Sequence, residues 1–165
     1  MARFDLFGDP SRNTLRELWD RLEPLPGGRR LFSWLVGRAA PYTGTIRARV
    51  EVLRDGYAEA VMDDRPRVRN HLRSVHAIAL VNLAELAGNA ALVYSMPPDA
   101  RFIVTGISME YLKKARGRIR AVAHCPVPES NERAELEFDV SLRDEAGDEV
   151  ARARVRSLVG PKPKA

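Results

Sequence analysis

Apolar positions recur at helical spacing near the start of the chain and predict a first short helix. Ser11 is placed to cap this helix, which we expect over residues 12–23. Its apolar stripe consists of Leu15, Leu18, Trp19 and Leu22. A second short apolar segment follows over residues 31–36. Two interpretations stay open, because the two pieces could simply pack on the main core or could cover a ligand pocket.

A period of two then replaces the helical spacing, and six segments alternate apolar and polar residues as strands do. The first two, over residues 45–53 and 57–63, flank Asp55-Gly56, which is a strong two-residue hairpin signal. The other four segments lie over residues 101–113, 117–127, 133–143 and 149–159. Between the two groups, residues 75–96 are nearly all apolar and predict one long helix that ends before a pair of prolines.

The order of the elements is therefore strand, strand, long helix and four strands, and all the local strand links look antiparallel. One sheet with one polar face can bury its apolar face against the single long helix. This plan predicts an α+β protein with the hotdog fold, a curled antiparallel sheet wrapped around one long central helix, preceded by short N-terminal helices. We expect an N-terminal helical segment over residues 1–42, a hotdog domain over residues 43–160 and a disordered tail over residues 161–165.

Charged side chains alternate with apolar ones in the last three predicted strands. One face carries Arg118 and Arg120, then Glu135, Glu137 and Asp139, then Arg152, Arg154 and Arg156. An antiparallel meander would set the acidic row between two basic rows, and each directly opposed pair would contribute roughly 0.2–1 kcal/mol. This ladder gives many arginines a structural role and weakens the case for a nucleic-acid-binding patch.

The composition fits one domain of 165 residues with a net charge of +5. This mild basic excess suits a phosphate-bearing ligand as well as nucleic acid. The single cysteine, Cys125, excludes an internal disulfide and a multi-cysteine metal site, so we expect a cytoplasmic protein without a metal. The first twelve residues lack the apolar core of a signal peptide. The long apolar segment could span a bilayer by length, but Glu85 near its middle would be expensive there, so we expect a buried core helix.

Three polar residues interrupt the apolar surface of the predicted long helix. Asn82, Glu85 and Asn89 fall within an arc of roughly 60° on one side of it. A carboxylate in such a setting is costly to bury unless it is paired or has a task. The stripe is either a satisfied hydrogen-bond cluster, internal or at a subunit interface, or part of a ligand site. Asn70 lies in the loop before the helix and His76 near its start, where free backbone amides could polarise a carbonyl oxygen.

The spacing of these residues resembles that of the hotdog-fold acyl-CoA thioesterases, in particular the phenylacetate-pathway type. That type carries an Asn, a His-Gly-Gly six residues later at the helix start, and an acidic residue nine beyond the His. Here Asn70, His76 and Glu85 keep both spacings. Residues 108–121, SMEYLKKARGRIRA, are similar to the strand, basic turn and strand of that family. The resemblance covers about residues 43–159 and points to a bacterial branch of the superfamily without a settled substrate.

The resemblance implies hydrolysis of an acyl-CoA thioester to a free acid and CoA. Glu85 would act as general base on water or as nucleophile, and the helix-start amide of Ala77 would polarise the thioester carbonyl. Asn70 would orient the water or the thioester, and His76 completes the catalytic set, more as a packing or supporting residue than as a base. The substrate-binding residues that we predict are Asn82, Ile78, Lys113, Lys114 and Arg116.

The resemblance also implies how the subunits and the substrate are arranged. In this family the helix acid and the loop Asn usually meet across a dimer interface, so we expect a homodimer or a dimer of dimers. No cofactor is expected, since the CoA thioester is itself the substrate. The basic turn with Lys113, Lys114 and Arg116 is the favoured site for the CoA phosphates. A second cluster is the alternative, and either cluster could instead be an ordinary solvated surface. This second cluster consists of Arg65, Arg67, Arg69 and Arg73.

The chain departs from the family at two points, and three other functions stay open. Ala77-Ile78 stands where the family has Gly-Gly, and Ile78 could narrow the site. The acid is Glu rather than the commoner Asp. The main alternative is a non-catalytic protein that binds acyl-CoA or a lipid on the same fold. Hydration or dehydration of a thioester lacks a second motif here. A nucleic-acid-binding regulator would need more helical structure than residues 1–42 offer, so we expect no nucleic-acid partner and no membrane span.

Overall fold

The computed structural model describes residues 11–163 of the chain. In this range the helices are α1 (Thr14–Leu22), α2 (Gly28–Ala39), α3 (Pro41–Gly44) and α4 (Ala77–Ser95). The strands are β1 (Arg49–Arg54), β2 (Tyr57–Met62), β3 (Ala100–Tyr111), β4 (Ile119–His124), β5 (Ala134–Arg143) and β6 (Glu149–Pro161). The long helix and all the strands that the sequence predicts are present, with ends that shift by a few residues.

The strands described form one antiparallel sheet in the order β1-β2-β4-β5-β6-β3. Asp55-Gly56 makes the turn between β1 and β2, where Gly56 takes the left-handed conformation that this turn requires (φ 68°). The apolar face of the sheet curls around α4, which contacts all six strands. The predicted α+β class and hotdog architecture are therefore confirmed.

α4 forms the centre of the core because apolar residues lie on almost every side of it. Leu83, Ala87 and Leu92 are completely shielded from solvent. The helix begins after His76, whose backbone is extended, and ends at Ser95, before Met96 and a proline that cannot continue it. α4 is long and apolar enough to cross a membrane, but most of it is buried by the sheet and the N-terminal helices. It is the core helix of the fold.

The N-terminal helices are tied to the C-terminal end of α4, and this changes the cap of α1. Asn13, rather than the predicted Ser11, caps α1 by accepting a hydrogen bond from the backbone N–H of Arg16 at 3.0 Å. Its side-chain nitrogen donates to the carbonyl oxygens of Val93 at 2.7 Å and Met96 at 3.1 Å. The prediction for Ser11 was wrong because Asn13 satisfies orphan groups of two helices at once.

The start of β1 and the end of β6 differ from the sequence prediction. β1 begins at Arg49 instead of residue 45, because Arg47 adopts a left-handed conformation (φ 49°) and turns the chain between α3 and the strand. At the other end, β6 continues to Pro161, and the N–H of Lys162 donates to the carbonyl of Asp99 at 2.8 Å. The chain is thus still paired at the first two residues of the segment expected to be disordered. Residues 164–165 lie outside the described range, as do residues 1–10 of the N-terminal segment.

The predicted charge ladder forms between β5 and β6 but not between β4 and β5. Between β5 and β6, Asp139 lies opposite Arg154, whose Nε reaches Asp139 Oδ1 at 3.0 Å. Between β4 and β5, however, the register sets Arg120 opposite Arg143, and the two strands pair over only four residues each. Arg120 pairs with Glu59 of β2 instead. The predicted opposition of the β4 arginines to the acidic row was wrong because it assumed a different register.

Gly88 allows β5 to approach α4 closely, and filling this space is expected to destabilise the protein. A Cβ built on Gly88 would lie 2.9 Å from Cε2 of Phe138. In an exposed helix, Gly to Ala would stabilise by about 1 kcal/mol. Here we expect Gly88→Ala to lower the free energy of unfolding by about 1–3 kcal/mol, because the aromatic ring must shift in a close-packed core. Urea denaturation measures the change. Phe138→Leu in the Gly88→Ala background should recover part of it, and a more stable single variant would contradict the expectation.

Candidate active site

The loop before α4 is a small hairpin that Asn70 holds together. Arg69 and Val75 form an isolated antiparallel bridge. Oδ1 of Asn70 accepts hydrogen bonds from the N–H of Leu72 at 2.9 Å and from the N–H and hydroxyl of Ser74, each at 3.2 Å. Asn70 therefore has a turn-forming role in its own chain. Its side-chain NH₂ makes no hydrogen bond to any residue in the range 11–163, so this donor is available to another group.

The same loop is hydrogen-bonded to the basic turn between β3 and β4. The N–H of Val75 donates to the carbonyl of Ala115 at 2.9 Å. Asp64, which is nearly buried, accepts from the N–H of Gly117 at 3.1 Å and from Nε of Arg69 at 2.6 Å. Lys114 and Arg116 flank Ala115 and thus lie beside the start of α4. The sequence analysis missed Asp64, since its role depends on contacts across about fifty residues that no local pattern reveals.

The start of α4 leaves one backbone amide without a partner. Nδ1 of His76 caps the helix by accepting from the N–H of Ile78 at 3.1 Å. In the neutral ring the proton then lies on Nε2, and the side chain is exposed. The N–H of Ala77, at the first helical position, has no hydrogen bond within the described residues. This amide sits at the positive end of the helix dipole, where it could stabilise a developing oxyanion.

Glu85 faces a cavity of about 370 Å³ that lies between α4 and the N-terminal helices. Its carboxylate is partly exposed, contrary to the buried position predicted, because the cavity replaces packed side chains around it. It forms no ion pair and accepts no hydrogen bond from the described part of the chain. Asn89, one turn further along α4, lines the same cavity, and its buried Oδ1 likewise accepts no hydrogen bond there. Most of the remaining wall is apolar and includes Leu15, Phe32, Val36, Leu86, Val93 and Phe102.

The two N-terminal segments were expected either to pack on the core or to cover a ligand pocket. Leu15 and Phe32 are buried in the core, and both also line the cavity of Glu85. The helices α1 and α2 therefore pack on the core and cover a pocket at the same time. The sequence analysis placed Asn89 in the polar stripe but gave it no role in the site.

The predicted substrate-binding residues on α4 are separated from this cavity. Asn82 is buried, and its Nδ2 donates to the carbonyl of Tyr42 in α3 at 3.1 Å. Its Oδ1 accepts no hydrogen bond within residues 11–163. Ile78 is half exposed at the start of the helix. Neither residue lines the cavity of Glu85. The polar stripe on α4 is thus divided, with Asn82 fixing α3 while Glu85 and Asn89 face open space.

The three cations of the basic turn are not equivalent. Nζ of Lys113 lies 2.8 Å from Asp144 and 2.6 Å from Asp148, and these two carboxylates raise the pKa of Lys113 above its usual value. Lys114 and Arg116 are exposed, and neither forms an ion pair with the described residues. Only these two of the predicted trio therefore offer uncompensated charge to a ligand.

The amide of Ala77 and the residue Glu85 lie far apart along the same helix. Both belong to α4, and their backbone positions along its axis differ by about 12 Å. A thioester carbonyl and the water that attacks it must lie within about 3.5 Å of each other. The structure thus brings Asn70, His76 and Ala77 to one end of the helix and leaves Glu85 at its middle.

Comparison with known proteins identifies relatives along most of the chain. A family model described as Domain of unknown function (DUF4442) matches residues 28–159. A structural-genomics protein whose name gives no function superposes with a TM-score of 0.78 at 32% identity, covering 90% of this chain and 99% of that one. A protein from Pseudomonas aeruginosa named as a probable thioesterase has a TM-score of 0.72 at 26% identity, covering 84% and 97%. A thioesterase family protein from Silicibacter pomeroyi shares the fold, with a TM-score of 0.66, 16% identity and coverages of 81% and 99%. None of the curated proteins matches the sequence.

Proposed function

The chain belongs to the DUF4442 family on a hotdog fold shared with thioesterase-family proteins, and from this premise we propose that it hydrolyses an acyl thioester, with CoA as the carrier. The observation that carries the proposal is Glu85, a carboxylate without an ion pair that faces a largely apolar cavity on the core helix. Such a cavity suits an acyl chain, and an uncompensated carboxylate beside it suits proton abstraction. The relative named as a probable thioesterase supports the same chemistry.

In the proposed reaction, the acyl group lies in the cavity and Glu85 removes a proton from water. The water oxygen forms a bond to the thioester carbon while the carbonyl oxygen gains negative charge, which the N–H of Ala77 stabilises. Collapse of this intermediate breaks the carbon–sulfur bond, and the proton on Glu85 goes to the leaving thiolate. The products are a carboxylic acid and the free thiol of the carrier. Attack by Glu85 itself, followed by hydrolysis of the anhydride, gives the same products.

The proposal includes a homodimer, because the two residues lie far apart along one α4. We propose that Ala77 and Asn70 of one subunit face Glu85 of the other, with the unbonded NH₂ of Asn70 directed to the water or the thioester. The exposed edge of the sheet supports pairing between copies. β3 is a twelve-residue strand with a single neighbour in the described sheet, and Ile103 on it is 63% exposed. A long edge strand with unpaired backbone groups favours association.

A non-catalytic protein that binds acyl-CoA is the second candidate function. Ile78 favours it, because this side chain stands half exposed beside the amide of Ala77, where the thioesterases that the motif resembles have glycine. A bulky residue there would restrict the approach of a thioester to the amide. In that protein Glu85 and Asn89 would bind a polar group of the ligand without reacting with it.

Hydrolysis of a panel of acyl-CoAs with short, long and aromatic acyl groups tests the proposal. Release of the CoA thiol is followed with a thiol-trapping dye. Cys125 should not interfere, because burial raises the pKa of its thiol to about 11 and keeps it protonated at the pH of the assay. Turnover that scales with protein concentration supports the thioesterase. Saturable binding of the same acyl-CoAs without turnover supports the second candidate.

Because a buried thiol and a single cysteine fit a reducing compartment, we propose that the protein acts in the cytoplasm.

A further inference from the structure

A second groove, outside the residues assigned to catalysis, is lined by arginines. It encloses about 1190 Å³ between α2, α3, the start of β1 and the segment before α4. Its charged residues are Arg30, Arg38, Arg47, Arg49, Arg65 and Arg67. No carboxylate from the described residues lines it. Six guanidinium groups therefore line the groove, with no acidic side chain among the described residues of its wall.

Several of these arginines have no partner within the described protein. Arg49 is neutralised by Glu51 and Asp63, at 3.0 and 3.5 Å. Arg47 and Arg67, by contrast, form no ion pair with residues 11–163. Arg65 donates from Nη2 to the carbonyl of Thr45 at 2.8 Å. Burial lowers the pKa of Arg65, and the nearby positive charges of Arg47 and Arg67 lower it further, while Asp63 acts in the opposite direction.

The backbone holds these groups together at a cost. Arg47 is one of two non-glycine residues with a positive φ in the described chain, a conformation that is strained for any residue with a Cβ. Its N–H donates to the carbonyl of Gly44 at 3.2 Å, so the turn between α3 and β1 fixes the position of the side chain. An anion in the groove would offset the like-charge repulsion among the side chains that this turn positions.

The groove adjoins the cavity of Glu85. Four residues line both spaces, and they form the boundary between them. These shared residues are Val36, Thr43, Val50 and Leu86. Leu86 follows Glu85 directly on α4. A ligand with an apolar end and an anionic end could therefore place its acyl group beside Glu85 and its charged groups among the arginines.

We infer that the groove binds the phosphate groups of the thioester's carrier through Arg47, Arg65 and Arg67, an inference that rests on the proposed function. Guanidinium groups donate two parallel hydrogen bonds to phosphate oxygens, which suits the diphosphate and the sugar phosphate of CoA. Trp34 lines the groove and is 59% exposed, so its indole ring offers a stacking surface for the base of a nucleotide. Arg38 lies 5.8 Å from the centre of the same ring.

Binding of free CoA, measured by isothermal titration calorimetry on the full chain, tests the groove without any turnover. The double variant Arg47→Gln/Arg67→Gln should weaken CoA binding by about 100-fold or more, because each lost charge-assisted hydrogen bond costs about tenfold. Glutamine keeps a long polar side chain and the same backbone conformation at residue 47. Pantetheine, which lacks phosphate, should bind the variant and the wild type equally. Arg133→Gln, which removes an exposed arginine just before β5, is the matched control and should leave CoA binding unchanged.

The rival site is the basic turn, and its variant decides between the two. If Lys114→Gln/Arg116→Gln weakens CoA binding and Arg47→Gln/Arg67→Gln does not, the groove is not the phosphate site. Equal arginine-dependent binding of CoA and 4′-phosphopantetheine would support a groove that binds the phosphate of an acyl carrier protein. Tighter binding of CoA would support a groove that also binds the nucleotide part of CoA. Arginine-dependent CoA binding in a protein that hydrolyses no thioester would refute the proposed function alone. Hydrolysis that the groove variant leaves intact, with unchanged KM, would refute the groove alone.

Discussion

Replacing Glu85 with glutamine is expected to lower kcat for acyl-CoA hydrolysis by about 10²- to 10⁴-fold, the range that a positioned general base contributes. Glutamine keeps the size of the side chain and its hydrogen-bonding capacity but cannot accept the proton of water. Since Glu85 makes no ion pair in the described chain and faces a cavity, the change removes no contact that stabilises the fold. KM should change little, because the carboxylate is not needed to hold the acyl chain.

The control for this variant is Glu135→Gln, which changes an exposed carboxylate on the outer face of β5. Both variants should melt within a few degrees of the wild type, as followed by circular dichroism, and only the first should lose activity. Hydrolysis by the Glu85→Gln protein at the wild-type rate would show that the base is a different group. A variant that loses both activity and its melting transition would be replaced by Glu85→Asp. Its shorter side chain should lower kcat with KM unchanged, and a wild-type kcat would again exclude Glu85.

The fold could be predicted from the sequence because burial imposes a local pattern on each element. Strands that bury one face must alternate, and a helix surrounded by a sheet must be apolar on nearly every side. The predictions failed where contacts between residues far apart in the sequence determine the structure. Asn13 caps α1 because it also bonds Val93 and Met96 eighty residues away. Arg120 pairs with Glu59 of β2, because the residue opposite it on β5 is Arg143 and carries the same charge.

The candidate site could be predicted only in part, since spacing places a residue on an element but does not reveal which atoms are already bonded. The positions of His76, Ala77 and Glu85 along α4 follow from counting. That Asn70 uses its oxygen within its own turn, or that Lys113 is held by two carboxylates, follows only from contacts across the fold. The arginine groove was missed as a unit for the same reason. Arg47 and Arg67 come from segments twenty residues apart, and no periodic pattern links them.

Replacing Ala77 with proline is expected to lower kcat by about 10²- to 10³-fold, which is the effect of removing one oxyanion donor. Ala77 is the first residue of α4, where proline is favoured because the helix needs no N–H at this position. The preceding residue, His76, already has the extended backbone that a following proline requires (φ −65°, ψ 139°). The substitution therefore removes one N–H and leaves the helix intact. Ala77→Gly, which keeps the N–H, should retain most of the activity.

Mixing the Ala77→Pro and Glu85→Gln proteins determines whether the two groups act across a dimer. After the subunits are unfolded and refolded together, about half of the dimers are hybrids, and each hybrid has one complete site if Ala77 of one subunit faces Glu85 of the other. Activity should then return to about a quarter of the wild-type level from two inactive proteins. If both groups instead act within one chain, every site in the mixture lacks one of them and the mixture stays inactive. Inactivity of a mixture shown to contain hybrid dimers would therefore refute the shared site, while activity of Ala77→Pro alone would remove the amide from the mechanism.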